Sequence, residues 1–571
     1  MTPQSQSKNS VQQLLETMSL TQLQQHGITE FADVWYRAEV SRRMAQSAQA
    51  ECLVTFDDVA MAVPEGQRHL LHGLPGYERV MLPTLWMASG FTGGAVALVI
   101  APPNPVERAY VSVLHTKLET MLGRPVPFEV LYEHNGTLID LMKVDEQTYA
   151  QLCVSYAQSM SVVDNVKAID ELSQLRLVCK YADILVQRGR LLVSPFQVTQ
   201  QHIDALDRYV QSGQMVLPDL PVMNKAFNNL WLKSEGFPHL PEILAVTLDG
   251  GITADLDQLV VWTAGYTDGL RRNNQDRIHV YSMALIDAID RFIANGQTPM
   301  LKIDADGVSG LGNISRRAHS EVYNNRLPRQ LRVGLLAGLI EQSLQGGKLP
   351  MVGIVEEFVT PGVIEEVTQD YTVCGMMVDG VFLPTSINPF GTTDGIYDRE
   401  WVAPRAEDLK EDPLLWESLF RAYAWMGEVL TRQGYHNGIL AGDIFALADG
   451  QLRQHDWNLR RGGRSVPETI IMFENGGWFE AQIEVDLTAY ADRFDAESLY
   501  ELYSVVCADL MERGIYPFAT SFGYFGMHHG NIFIKLKLMV PMNMFLGIVP
   551  RSDQLQFVRD LATEVVYRYL D

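Results

Sequence analysis

Two rhythms of apolar and polar positions run along the chain. A helical period, with apolar residues recurring every three or four positions, covers 34–49, 107–122, 278–294, 330–345, 414–433, 496–513 and 553–570. Short apolar runs of strand length lie between. GGAVALVIAPPNP closes on a Pro-rich turn, VPFEVLY follows the 107–122 helix, and a strand from Arg190 leads to a helix entered at Thr199. TPMLKID reads as a buried strand after the Gly296 stop, and PMVGIVEEFV as another after Gly346 and Gly347. Strands alternating with helices predict a parallel α/β domain in the first part of the chain. The expected fold class is α/β (α+β), divided into an N-terminal extension over 1–70, an α/β domain over 71–220, a larger unit over 221–470 and a C-terminal α+β extension over 471–571. Residues 1–70 are weakly patterned and carry no functional assignment.

Composition narrows the function classes. Hydrophobic residues make up 47% and charged residues 20% of 571 positions, which suits a chain folded throughout, in three or so domains. The net charge of −24 repels nucleic acid and anionic membranes, so any polyanion must be met by a local site. Five cysteines without a CxxC pair argue against a zinc cluster or a disulfide framework. No signal peptide or membrane span is apparent, and a cytoplasmic location is expected.

The densest chemistry lies in GDIFALADGQLRQHDWNLRRGGRS. Asp449-Gly450 between alternating segments is a strong hairpin signal. With those two residues as the loop, Leu447 faces Leu452 and Asp443 stands opposite Asp456, with Asn458 two residues further on the same face. Opposed aspartates repel unless a cation lies between them, and two carboxylates with an amide oxygen suit Mg²⁺, with Mn²⁺ as the substitute. Arg460, Arg461 and Arg464 follow at once, and their forked donors suit phosphate oxygens.

Further upstream, Lys302 ends the TPMLKID strand ahead of Gly307, Gly310 and Gly312. A glycine loop can close its N–H groups over phosphates beside such a lysine. The segment is neither a P-loop nor a dinucleotide fingerprint. Glu356 and Glu357 end an apolar strand on opposite faces, so one can meet a ligand while the other is solvated.

Taken in order, these pieces resemble the ATP-grasp superfamily over roughly Met223 to Arg464. MNKAF around Lys225 resembles its first lysine segment, LKIDADGVSGLGN its second lysine and glycine loop, VEEFV its adenine strand, and GDIFAL with DWNLR its paired metal-binding strands. GYERVMLPTLW with ALVIAPPNPVERAYVSVL resembles the domain preceding the ATP-grasp in peptide ligases of the pheganomycin type. The chain departs from the pattern at Asn224, where an acid often stands, at Asp456 in place of Glu, and at Leu459 in place of proline. The resemblance implies a pre-ATP-grasp domain followed by a two-lobed ATP-grasp fold. It implies that Lys225, Lys302 and the glycines Gly307, Gly310 and Gly312 hold ATP phosphates, and that Glu356 with the main chain of Glu357 to Val359 holds adenine. Asp443, Asp456 and Asn458 would hold magnesium, while Arg460 and, second to it, Arg461 would stabilise the transferred phosphoryl. The implied activity is a carboxylate–amine ligase acting through an acyl phosphate and releasing ADP and phosphate. The expected partners are small-molecule carboxylate and amine substrates, amino acids or a short peptide among them, with homodimerisation left open. An ATP-grasp kinase and a non-catalytic nucleotide-binding regulator are the alternatives.

Overall fold

The structure is a computed structural model. It describes residues 34–570 apart from 57, 59–60, 62–79, 161–173, 222–223, 237–240, 267–268, 304–312, 315, 317, 345–347, 350, 360–366, 394–395, 402–412, 448–451, 462–477, 520–524, 529–530, 542–543, 546–547 and 550–552.

The first sheet begins earlier in the chain than the pattern predicts. Helix α1 (Val34–Ser47) is followed by β1 (Cys52–Thr55), a fully buried CLVT strand. Then come α2 (Met81–Ala88), β2 (Ala95–Val99), α3 (Pro105–Leu122), β3 (Phe128–His134), β4 (Thr137–Asp140), α4 (Glu146–Met160), α5 (Gln174–Leu185), β5 (Leu191–Ser194), α6 (Gln200–Gln211) and β6 (Met215–Val216). The strand order is β4-β3-β2-β1-β5-β6, parallel except for β4, so β1 lies in the middle. Residues 52–55, inside the segment expected as an N-terminal extension, therefore form a central strand of the domain that was expected to start at 71. Local chemistry fixes the helices of this domain. Asn104 caps α3 by accepting from the Glu107 N–H, Glu107 returns a bond to the cap, Pro105 fits the first turn, and Gly123 ends the helix at φ 63°.

The second unit comprises α7 (Lys225–Ser234), β7 (Ile243–Thr247), β8 (Ile252–Thr253), α8 (Leu256–Thr263), β9 (Leu270–Arg271), α9 (Gln275–Ala294), β10 (Pro299–Lys302), β11 (Asn313–Ile314), α10 (Arg329–Ser343), β12 (Lys348–Leu349) and β13 (Val352–Glu357). Its antiparallel sheet has the order β11-β10-β13-β7-β8, and β12 pairs with β9. Helices α9 and α10 cover it with a separate core around Tyr281, Leu285, Ile289 and Leu336.

Among the described residues the third unit is one nine-stranded antiparallel sheet. It is built from β14 (Val367–Val378), β15 (Val381–Thr393), β16 (Ile396–Trp401), β17 (Gly438–Leu447), β18 (Leu452–Asn458), β19 (Trp478–Asp486), β20 (Tyr516–Ala519), β21 (Phe525–His528) and β22 (Asn531–Pro541). The order is β18-β17-β14-β15-β16-β19-β22-β20, with β21 also on β22. Because β19 pairs with β16, the sheet runs straight across the expected boundary at 470. One face packs on α11 (Pro413–Arg432), α12 (Ala496–Glu512) and α13 (Gln554–Arg568), and its core is continuous with that of the first domain. Helix α12 also packs on α4 and α3, where Asn104 Nδ2 donates to the Tyr503 hydroxyl at 3.2 Å. The N-terminal sheet and the C-terminal helices thus share an interior. The whole is a mixed α/β protein with a mainly parallel N-terminal sheet and further antiparallel sheets.

Candidate functional site

The acids sit on the hairpin of β17 and β18. Asp443 pairs with Asp456, Gly442 with Trp457 and Ala441 with Asn458, so Asp443, Asp456 and Asn458 share one face by register. Nearer the turn the register differs from expectation, since Ala446 rather than Leu447 pairs with Leu452. A bulge beside Asp443 makes up the difference, with His455 as the extra residue. On the turn register alone His455 would stand opposite Asp443, and the bulge brings Asp456 there instead. The Asp449-Gly450 turn lies outside the described residues, as do Arg464 and the glycines Gly307, Gly310 and Gly312.

The opposite face of this hairpin is apolar, with Ile444, Ala446 and Trp457 in the main core. On the acidic face Asp443 is 9% exposed and accepts from the hydroxyl of Thr372, its partner on β14. Asn458 is equally buried, and its Oδ1 has no hydrogen-bond partner among the described residues. Leaving a buried amide oxygen so costs about 1–3 kcal/mol. An oxygen-binding cation between two aspartate positions and this oxygen would offset that cost, and the donor set fits Mg²⁺ or Mn²⁺. The side chain of Asp456 is not among those described. Among the described residues no group of three His, Cys, Asp or Glu side chains is placed to hold a metal ion.

Two of the expected nucleotide residues, Lys302 and Glu356, come together on the sheet that holds β10 and β13. Met300 pairs with Glu356 and Lys302 with Ile354, which makes Lys302 and Glu356 diagonal neighbours. Lys302 Nζ lies 2.7 Å from Glu356 Oε1, with both side chains almost fully buried. Glu356, expected as an acceptor for adenine, is thus also the counter-ion of Lys302. Glu357 points the other way and pairs with Arg453 of β18 at 3.2 Å, while its N–H donates to the Glu242 carbonyl at 2.9 Å. That N–H is therefore not offered to a ligand. Val359 is buried against Phe445, two residues from Asp443. The Glu357–Arg453 pair and the Val359–Phe445 contact join the end of β13 to the acidic hairpin.

Strand β10 is held firmly. The Tyr323 hydroxyl receives the Leu301 N–H at 3.2 Å and donates to the Ile314 carbonyl, and burial pushes this phenol well above its ordinary range. Gly353 on β13 lets the Tyr281 hydroxyl approach where a Cβ would collide with it, and that hydroxyl donates to Ile303 at 3.2 Å.

Lys225 is buried at the start of α7, which packs beside β18. Asn224, one of the departures from the family pattern, is the N-cap of that helix and accepts from Ala226 N at 2.9 Å. Arg460 is 9% exposed just past Asn458. Arg461, second to Arg460 in the expected phosphoryl role, has its Nη2 donating to the carbonyl and the hydroxyl of Ser194, each at 2.9 Å, at the end of β5. Sequence reasoning missed Thr372 and Asp370. Both are buried on the face of β14 that meets Asp443, and the alternation in TQDYTV was their signal. It also missed Lys537 and Glu480, a buried pair at 3.2 Å on the same face of the sheet.

No protein-family model matches the chain, and no curated protein matches it. Solved structures with a loose overall likeness include carboxyaminoimidazole ribonucleotide synthase from Aspergillus clavatus complexed with ATP, with 11% identity, TM-score 0.39, and 83% of this chain and 99% of that one covered. N5-carboxyaminoimidazole synthetase from Staphylococcus aureus has 9% identity and TM-score 0.38, covering 89% and 96%. The biotin carboxylase domain of Hydrogenobacter thermophilus 2-oxoglutarate carboxylase has 11% identity and TM-score 0.39, covering 86% of each chain. Superpositions this loose assign neither family nor activity, and the functional reading rests on the site geometry.

Proposed function

We propose that the chain is an ATP- and magnesium-dependent ligase that joins a carboxylate to an amine, with amino acids or short peptides as the substrate class. The observation that carries this reading is the pairing of Asp443 with Asp456 beside the buried Asn458 Oδ1, which has no hydrogen-bond partner among the described residues. Asp443, Asp456 and Asn458 would hold the divalent cation, which when bound neutralises charge on the nucleotide phosphates. Lys302, set by Glu356, and Lys225 supply positive charge toward the phosphates, and Arg460 faces the phosphoryl in transit. A carboxylate oxygen attacks the γ-phosphorus, the bond to the β–γ bridging oxygen breaks, and ADP leaves. The amine then attacks the acyl carbon and expels phosphate. Burial of these groups excludes water from the acyl phosphate, and no protein nucleophile is required.

The test is incubation with ATP, magnesium and pooled amino acids and short peptides, followed by mass spectrometry of the products. The expected products are an amide, ADP and phosphate. With a carboxylate carrying heavy oxygen, one labelled oxygen should appear in the phosphate. Label in AMP, or phosphate without label while amide forms, would exclude the acyl-phosphate route.

A further inference from the structure

Arg461 is bound to the N-terminal domain at both its main chain and its side chain. Its N–H donates to the Phe196 carbonyl at 3.0 Å, and its Nη2 donates to Ser194 O and Ser194 Oγ at 2.9 Å each. Arg461 is 2% and Ser194 1% exposed, so these bonds are made away from water. Ser194 ends β5 beside β1, where the winding of the sheet reverses between β2 on one side and β5 on the other. A residue 267 positions earlier in the chain thereby grips the segment that leaves the acidic hairpin.

We propose that Ser194 is a positioning residue for Arg460, acting through Arg461. This rests on the ligase reading only in taking Arg460 as the group that faces the transferred phosphoryl. Asn458 is fixed in the ladder against Ala441, and Arg461 is fixed against Ser194 and Phe196. Leu459 and Arg460 alone span the interval, so fixing both ends restricts the backbone between them. A charged group meant to meet charge that develops during reaction gains from such prior placement, because displacement by about 1 Å can cost on the order of a hundredfold. Loss of the Ser194 hydroxyl removes one of the three bonds that hold Arg461 and so loosens one end of the interval, while leaving Asp443 and Asn458 in their ladder.

The full-length chain can be titrated calorimetrically with MgADP and with MgADP plus fluoroaluminate, which mimics the phosphoryl group in transit. Ser194→Ala should leave MgADP affinity within about twofold and weaken the fluoroaluminate complex about tenfold or more. Arg460→Met should give the same selective loss, and adding Ser194→Ala to it should cost nothing further. Arg461→Lys should retain more affinity for the fluoroaluminate complex than Arg461→Met, because an ammonium can still donate to the Ser194 oxygens. The proposal is overturned by additive losses in the double variant, or by equal losses for both ligands. Undiminished binding of the fluoroaluminate complex by Ser194→Ala overturns it too. A wild-type chain that binds neither ligand defeats the ligase reading and this proposal together, whereas a binding wild type with additive variants defeats this proposal alone.

Discussion

Lys302 and Glu356 are ion-pair partners with side chains 4% and 1% exposed, and that changes what a substitution does. From sequence alone, Lys302→Ala should weaken ATP binding and leave folding untouched. With the pair buried, removing the lysine leaves a carboxylate uncompensated, at a cost of about 3–5 kcal/mol. Lys302→Ala should therefore lose stability in chemical denaturation as well as affinity. The double variant Lys302→Met/Glu356→Gln should recover most of the stability while MgATP affinity measured by calorimetry stays low. A double variant as unstable as Lys302→Ala would show that the stranded carboxylate is not the cause. The identities of these residues were legible because charged residues ending apolar strands stand out. Their partnership was not, since it depends on β10 and β13 being neighbours in a register that no local pattern states. Arg461 is a similar case. Its neighbours in sequence point to phosphate, and only the approach of Ser194 reveals its other commitment.

At the scale of elements, the hairpin β17–β18 depends on a bulge that the alternation of its sequence does not announce. The opposition of Asp443 and Asp456 was anticipated from a two-residue loop, yet the observed pairing of Ala446 with Leu452 is one residue out of that register. The loop shift and the extra His455 offset each other. If the shared face of Asp443, Asp456 and Asn458 binds the cation, inserting one Ala after Asp456 keeps the acids opposed and moves Asn458 to the other face. Mn²⁺ affinity read by electron paramagnetic resonance should fall about tenfold or more, and unchanged affinity would remove Asn458 from the ligand set. A second Asp-Gly turn went unread. Asp379 and Gly380, at φ 52° and 75°, join β14 to β15 with Val378 opposite Val381, a tight hairpin loop of the kind that dipeptide favours. Strand β15 was hidden by its prolines, which normally mark edges. Pro384 escapes that rule at a break in the β14–β15 register, and Pro389 lies just beyond the last pair between β15 and β16, Phe390 with Glu400. The amphipathic helices were far more legible, as with Gln275–Ala294 and Pro413–Arg432, because their period repeats over many turns.

For the whole molecule, domain boundaries were the least legible feature, because sheets recruit strands that lie far apart in sequence. Removal of residues 1–60 takes away β1, whose neighbours β2 and β5 would then lose their ladder, so the truncated chain should be insoluble or lack a cooperative unfolding transition. Truncation at 470 should fare no better, because it strips β19 to β22 from the nine-stranded sheet and bares the edge of β16. A soluble, cooperatively melting fragment from either cut, seen by circular dichroism, would contradict this architecture. The packing of α12 on α3 and α4 also sets a clock on synthesis. Asn104 meets Tyr503 across 399 positions, so at about 5–20 residues per second the ribosome needs roughly 20–80 s to deliver the partner surface after Asn104 itself has been made. For that interval the nascent N-terminal domain carries an uncovered apolar flank, around Tyr110 and Tyr156 in the shared core. Premature release or slow translation of the last hundred residues should therefore yield aggregates rather than a stable half-protein, and holding chaperones should find their main purchase on that flank.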